Sequence, residues 1–159
     1  MSAPHPLSRR LYYATLLGLR HIRNRLIAFL GGKTVGARML VVRAGQVCLI
    51  RHTYGDTTAW MLPGGAVDWR ETPEEAAVRE TWEEAGIATL TDVRTLWSYR
   101  HTLAGGDDIV VVCAAATQED CHANSPEIAE AIWADPDALP ETATERTRIA
   151  IALAGVSRG

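Results

Sequence analysis

Apolar residues recur along this chain with two different periods, and the change falls near residue 35. Before it, Tyr12, Leu16, Leu19, Ile22, Leu26 and Phe29 stand at helical spacing, which predicts one amphipathic helix over residues 7–30. Gly31-Gly32-Lys33 reads as a short hinge. After it, ARMLVVR and QVCLIRH predict two strands joined by a tight turn at Ala44-Gly45. A polar loop then leads to Trp60-Met61-Leu62 and to Pro63-Gly64-Gly65, a chain breaker. Thr72-Pro73-Glu74-Glu75 marks a helix start twice over, with Thr72 and Glu75 spaced as a capping box and proline at the first helical position. That helix is expected to run to about Ala85 and to stop at Gly86. Further strands are expected over residues 92–101, 108–117 and 128–133. A short helical turn should open at Asp135-Pro136, and a last helix should cover residues 142–153.

Strands interspersed with helices specify an α/β or α+β domain over residues 35–159, set behind a separate segment, 1–34. The 159 residues are 47% apolar and 22% charged, which suits one globular domain with a full core and excludes a disordered chain. Cys48, Cys113 and Cys121 form no paired motif, and the first two sit in apolar runs as buried thiols would. A disulfide framework and a zinc site are therefore excluded, and a reducing cytoplasm is the expected compartment.

Charge is divided unevenly. Residues 1–55 hold nine Arg or Lys and no acid, so the remainder carries the other seven bases and all 19 acids. Arg20, Arg23 and Arg25 interrupt the N-terminal apolar stripe, which argues against a membrane-spanning helix. Ser8-Arg9-Arg10 has the look of a twin-arginine export signal, but cations return after Leu19 and no small-residue cleavage site follows, so export is not expected. The stripe leaves open three partners for residues 7–30: the domain itself, a second copy in a homodimer, or an anionic membrane surface. No specific nucleic-acid-binding module is recognisable.

The chemistry concentrates in GAVDWRETPEEAAVRETWEEAGI, residues 65–87. Glu80, Glu83 and Glu84 fall at i, i+3 and i+4, crowding three carboxylates onto one helical face where like charges repel. Ala77, Val78, Thr81 and Ala85 make a packing face, so the carboxylates are expected to point away from the core toward the Pro-Gly-Gly loop. Oxygen-rich clusters of this kind suit Mg²⁺ or Mn²⁺, which share carboxylates with substrate phosphates.

Gly65, Glu71, Arg79-Glu80, Glu83-Glu84, Gly86 and Ile87 together resemble the Nudix box, G-x5-E-x7-R-E-U-x-E-E-x-G-U, where U is bulky and apolar. Every fixed position is matched; Thr81 departs at one U position. The resemblance covers roughly residues 35–155. It implies an α/β/α sandwich with a mixed sheet, and Mg²⁺-dependent hydrolysis, with Mn²⁺ as a substitute, of a nucleoside diphosphate linked to another moiety by attack of water on phosphorus. By matching position it makes Glu80, Glu83 and Glu84 metal ligands, with the Gly64 carbonyl completing the shell. It pairs Arg79 with Glu71 and gives Gly65 and Gly86 structural parts in the motif. The general base is a box glutamate, Glu80 or Glu84, or a loop glutamate, for which Glu127 has the right placement ahead of Glu130 and Glu119.

Substrate contacts are sought at Arg51, His52 and Tyr54 just upstream of the box and at Trp97, Tyr99 and Arg100 on a later strand, since cations and aromatics suit phosphates and bases. No signature of a particular substrate subfamily is recognisable. The rival to catalysis is a nucleotide-sensing module on the same fold, against which the complete carboxylate set argues.

Overall fold

The computed structural model describes residues 35–103 and 106–157. The helix and hinge expected within residues 7–33 lie outside the described residues.

The strands are β1 (Val35–Arg43), β2 (Gln46–His52), β3 (Gly64–Ala66), β4 (Thr91–Leu103), β5 (Gly106–Ala116) and β6 (Ile128–Ala134); the helices are α1 (Pro73–Ala85) and α2 (Glu145–Ala154). The sheet runs β4-β5-β1-β2-β6, with β3 paired to β1. It is mixed: β1 lies parallel to β5 from Val35↔Ile109 to Val42↔Ala116, and the other pairings are antiparallel. The β1–β2 hairpin closes through Ala44 (φ 47) and Gly45 (φ 77), both in the left-handed region that a two-residue turn of this hand demands. Past the turn the two strands diverge, and the Trp60-to-Ala66 segment fills the split. Met39 N donates to Pro63 O at 2.9 Å, and Ile50 and Met61 exchange backbone bonds at 2.9 and 3.0 Å.

Apolar side chains cover both faces of the sheet, which is why β1 and β2 read as nearly continuous apolar runs. Met39, Val41, Cys48, Ile50 and Cys113 pack with Ala76, Ala77 and Ala85 of α1, while Leu40, Leu49, Val112 and Ala114 pack with Ala150 and Ile151 of α2. The outcome is the expected α/β/α sandwich. Helix α1 has both halves of its capping box, with Glu75 N donating to Thr72 Oγ1 and Thr72 N to Glu75 Oε2, and it ends at left-handed Gly86 (φ 73). Its last carbonyls are met by a neighbouring loop: His122 N donates to Ala85 O, Asn124 N to Glu84 O and Asn124 Nδ2 to Trp82 O. Thr81, the departure from the box pattern, is fully buried and satisfies its hydroxyl on Ala77 O at 2.7 Å. The last helix starts later than expected, at Glu145, with Thr144 as its cap.

Candidate active site

Strand β3 crosses the buried face of α1 with almost no side chains of its own. Gly64 (φ 150) is forced to be glycine, since a Cβ there would lie 2.1 Å from Ala37 O and 2.8 Å from Arg38 Cα. At Gly65 a Cβ would come within 2.5 Å of Glu80 Oε1. Gly64 thus lets β3 close on β1, and Gly65 lets the Glu80 carboxylate press directly against backbone.

Sequence reasoning placed the carboxylates on the outward face of α1. They are instead on its buried face, interleaved with Ala76, Ala77, Thr81 and Ala85: Glu80 is 4% exposed and Glu84 5%. Val78 packs against this core as expected, though half-buried, and Glu83 sits at the margin. The physical reason lies in β3, whose glycines leave room for acids where larger side chains would fill the space. Buried carboxylates are unfavourable unless paired, so their partners matter.

Arg79 supplies most of the pairing. Its Nε and Nη2 grip Glu71 at 3.1 and 2.7 Å, its Nη2 also donates to Ala66 O at 3.1 Å, and its Nη1 reaches Glu80 and, at 3.3 Å, Glu83. The expected Arg79–Glu71 clamp is present, and it extends to two of the three carboxylates. Burial disfavours the guanidinium charge, but the Glu71 hydrogen bonds and the Glu80 and Glu83 charges outweigh it and hold Arg79 firmly protonated. Glu71 in turn accepts from Asp68 N at 2.9 Å, which ties the loop before α1 to the helix.

Glu84 accepts from Gly64 N at 2.7 Å and lies 4.0 Å from His52 Nε2. Burial pushes its carboxyl up to about 8. The Glu80 and Glu127 charges push the same way, while Arg38 and the Gly64 N–H pull down. Glu80 Oε2 is buried with no hydrogen-bond partner among the described residues. A carboxylate oxygen without a partner therefore lies close to a second carboxylate whose ionisation burial disfavours, the pattern of a functional site rather than of a plain core. Among the described residues no three His, Cys, Asp or Glu side chains already form a metal cluster; here the acids turn to Arg79 and Gly64 N instead.

Arg38 went unnoticed in the sequence. It projects from β1 opposite Gly64 and donates from Nη1 to Leu62 O and Gly64 O, each at 3.0 Å. The Gly64 carbonyl, expected to be a metal ligand, is thus shared with a guanidinium. The available signal was a cation near the start of the otherwise apolar run ARMLVV.

The remaining candidates separate by face and by strand. Glu127 joins the site: Tyr54 donates to its Oε2 at 3.2 Å, and its charge acts on Glu84. Glu130 is ion-paired with Arg51 at 3.0 Å, and Glu119 binds Ala88 N and Thr89 N at 2.7 and 3.1 Å, a bonding that holds its carboxyl below the ordinary range. Arg51 also donates to Thr57 O at 2.9 Å and lies over Trp60, which packs in the α2 layer. It therefore braces that side of β2 and does not face the carboxylates. Trp97 and Tyr99 stack on each other at 4.8 Å and pack in the α2 layer, under Arg146. Arg100 is exposed on edge strand β4, paired with Ile109.

Comparison with known proteins agrees with this geometry. The model of the NUDIX domain matches residues 32–154. A MutT-like protein of Streptomyces ambofaciens is 33% identical over 109 residues, 69% of this chain and 68% of that one. An RNA pyrophosphohydrolase of Photobacterium profundum is 49% identical over 59 residues, which is 37% of this chain but only 32% of the relative's length. The crystal structure of a MutT Nudix hydrolase from Burkholderia pseudomallei has a TM-score of 0.68 at 32% identity, covering 76% of this chain and 97% of that one. The domain match spans well over half of the sequence and contains the whole carboxylate seam, and the chain belongs to the Nudix hydrolase family.

Proposed function

We propose that this protein is a pyrophosphohydrolase that uses Mg²⁺, with Mn²⁺ as a substitute, to split a nucleoside diphosphate linked to another moiety by attack of water on phosphorus. One observation carries the reading: two buried carboxylates, one with an orphaned oxygen, lie directly under a loop stripped of side chains. A core built for stability alone would place apolar groups there.

The residues present suit a hard divalent cation. Glu80, Glu83 and Glu84 offer carboxylate oxygens at one seam, and the unsatisfied Glu80 Oε2 is the kind of donor such an ion completes; the Gly64 carbonyl would complete the shell only by sharing its oxygen with Arg38. A divalent cation held by these residues would supply charge to offset that of the phosphoanhydride and would make water a better nucleophile. The chain supplies the rest. Arg79 fixes Glu80 and Glu83 relative to the loop through Glu71. Gly64 N holds one oxygen of Glu84, and Arg38 holds the carbonyls of the same loop. Glu127 stands at the rim as the base that takes the proton of the attacking water.

One solved protein of this fold, from Francisella tularensis, is a bifunctional NMN adenylyltransferase/ADP ribose pyrophosphatase at 17% identity, and the NUDIX domain of Shewanella oneidensis NrtR, at 19% identity, is complexed with ADP ribose; both are likenesses of fold alone. Substrate choice is therefore open to a direct screen. The test is Mg²⁺-dependent hydrolysis of dinucleoside polyphosphates, nucleotide sugars, ADP-ribose, oxidised nucleoside triphosphates and 5′-triphosphorylated RNA, with products identified. Turnover of one class that Glu83→Gln abolishes supports the proposal. Tight nucleotide binding with no turnover of any class would favour a sensing module. We place the catalytic unit at residues 35–159 in the cytoplasm; no helix among the described residues is long and apolar enough to cross a membrane.

A further inference from the structure

Glu127 lies 43 positions downstream of Glu84 on a loop, yet it is fastened at several points to the end of β2. Strand β2 bulges between Arg51 and His52 where it leaves β6. Immediately beyond, Thr53 N donates to Glu127 O at 2.8 Å, and Thr53 Oγ1 donates to the same carbonyl at 3.2 Å and to Pro126 O at 3.3 Å. Glu127 N donates to Ser125 Oγ at 3.1 Å. The backbone of residue 127 is thereby fixed, but a glutamate side chain still has three rotatable bonds.

We propose that Tyr54 is a positioning residue for the reaction, its phenol holding the Glu127 carboxylate at the rim of the Glu80–Glu83–Glu84 seam. The phenol donates to Glu127 Oε2 at 3.2 Å, and its ring lies against the His52 ring, with centroids 5.1 Å apart and planes at 44°. His52 is itself buried, with Nε2 4.0 Å from Glu84 Oε1. A continuous run of contacts, Glu84 to His52 to Tyr54 to Glu127, therefore joins a box carboxylate to the loop carboxylate. Tyr54 was expected to meet substrate; the geometry assigns it to a carboxylate of the protein instead. A phenol suits the task because it binds one carboxylate oxygen from the side, adds no charge, and is steered by a ring with only two side-chain torsions.

The inference rests on the pyrophosphohydrolase reading, and its test keeps the two apart. Wild type, Tyr54→Phe, Glu127→Gln and the double variant are compared as full chains on a substrate found in the screen, with Glu83→Gln as the control for metal-dependent turnover. Loss of one hydrogen bond to a charged group should lower kcat about 3- to 10-fold in Tyr54→Phe, with KM within about twofold. Glu127→Gln should lower kcat by about 100-fold or more, as loss of a base does. Adding Tyr54→Phe to Glu127→Gln should then change nothing further, because the phenol acts only through that carboxylate. A full Tyr54→Phe effect persisting in the Glu127→Gln background, or an effect on KM alone, overturns the proposal while leaving the hydrolase reading intact. A second readout needs no turnover at all. The carboxyl ¹³C resonance of Glu127, assigned by its loss in Glu127→Gln, should shift in Tyr54→Phe, and an unmoved resonance overturns the proposal.

Discussion

The two helical layers flank one sheet and are built with the same devices, but they bury different things. Each helix starts on a threonine cap and stops on a left-handed glycine. The α2 layer is a conventional core: Leu40, Leu49, Leu62, Ala150 and Ile151 meet, and its buried Thr147 shares a 2.8 Å hydroxyl contact with Thr144. The α1 layer substitutes alanines for larger residues on its helix and places Glu80, Glu84 and His52 among them. One side of the sheet is arranged for stability and the other gives some of it up to keep acids close together and poorly solvated, a common bargain at catalytic sites.

Substitutions on the two sides should therefore move different observables. The largest effect is expected from Glu83→Gln and Glu84→Gln. Each should lower kcat by about a thousandfold or more, the scale of several kcal/mol of charge stabilisation. Glu84→Gln should nevertheless keep or raise the metal-free Tm, because it removes a buried ionisable group. Ile151→Ala should do the reverse, destabilising by roughly 2–5 kcal/mol in denaturant titration with kcat per folded molecule unchanged. Arg79→Lys comes next. A lysine cannot span Glu71, Glu80 and Glu83 at once, so turnover should fall about 10- to 100-fold. Its counterpart Arg146→Ala, which removes a cation from over the Tyr99 ring, should cost about 1 kcal/mol at most and leave turnover alone.

The pH dependence of the metal-free protein sharpens the same contrast. The native Glu84 carboxyl binds its proton more tightly than an unfolded glutamate, so its ionisation weakens the fold as pH rises from about 4.5 through about 8. Thermal melts should show Tm falling across that window, with the Glu84 contribution to the slope gone in Glu84→Gln. The smallest effect is expected at the hairpin shared by both layers. Ala44 occupies the left-handed region at φ 47, where Ala44→Asn should add about 0.5–1 kcal/mol with no change in kcat.

Much of this was legible along the chain because it is local. The Ala44-Gly45 turn, the capping box at Thr72 and the stop at Gly86 each depend on residues within a few positions of one another, and each is present as read. The spacing of Glu71, Arg79, Glu80, Glu83 and Glu84 likewise identified the seam. What escaped depends on long-range placement. The inward turn of Glu80 and Glu84 follows from β3 lying across α1, and the reach of Arg38 to Leu62 and Gly64 follows from strand pairing, neither of which periodicity reports. Arg51 and Tyr99 were reasonable phosphate and base contacts by type. Strand alternation and packing direct them to the α2 layer, away from the acids. Tyr54 and Glu127 meet across 73 residues of sequence, a contact no spacing rule contains.

In the proposed reaction the three box carboxylates together hold the divalent cation on which hydrolysis depends. This is tested most directly by titrating Mn²⁺ into wild type and the triple variant Glu80→Gln/Glu83→Gln/Glu84→Gln, following free Mn²⁺ by electron paramagnetic resonance, with circular dichroism to establish that both are folded. Stoichiometric site binding is expected in wild type and its loss in the folded variant; equal Mn²⁺ affinity in the two proteins would show that the cation is held elsewhere.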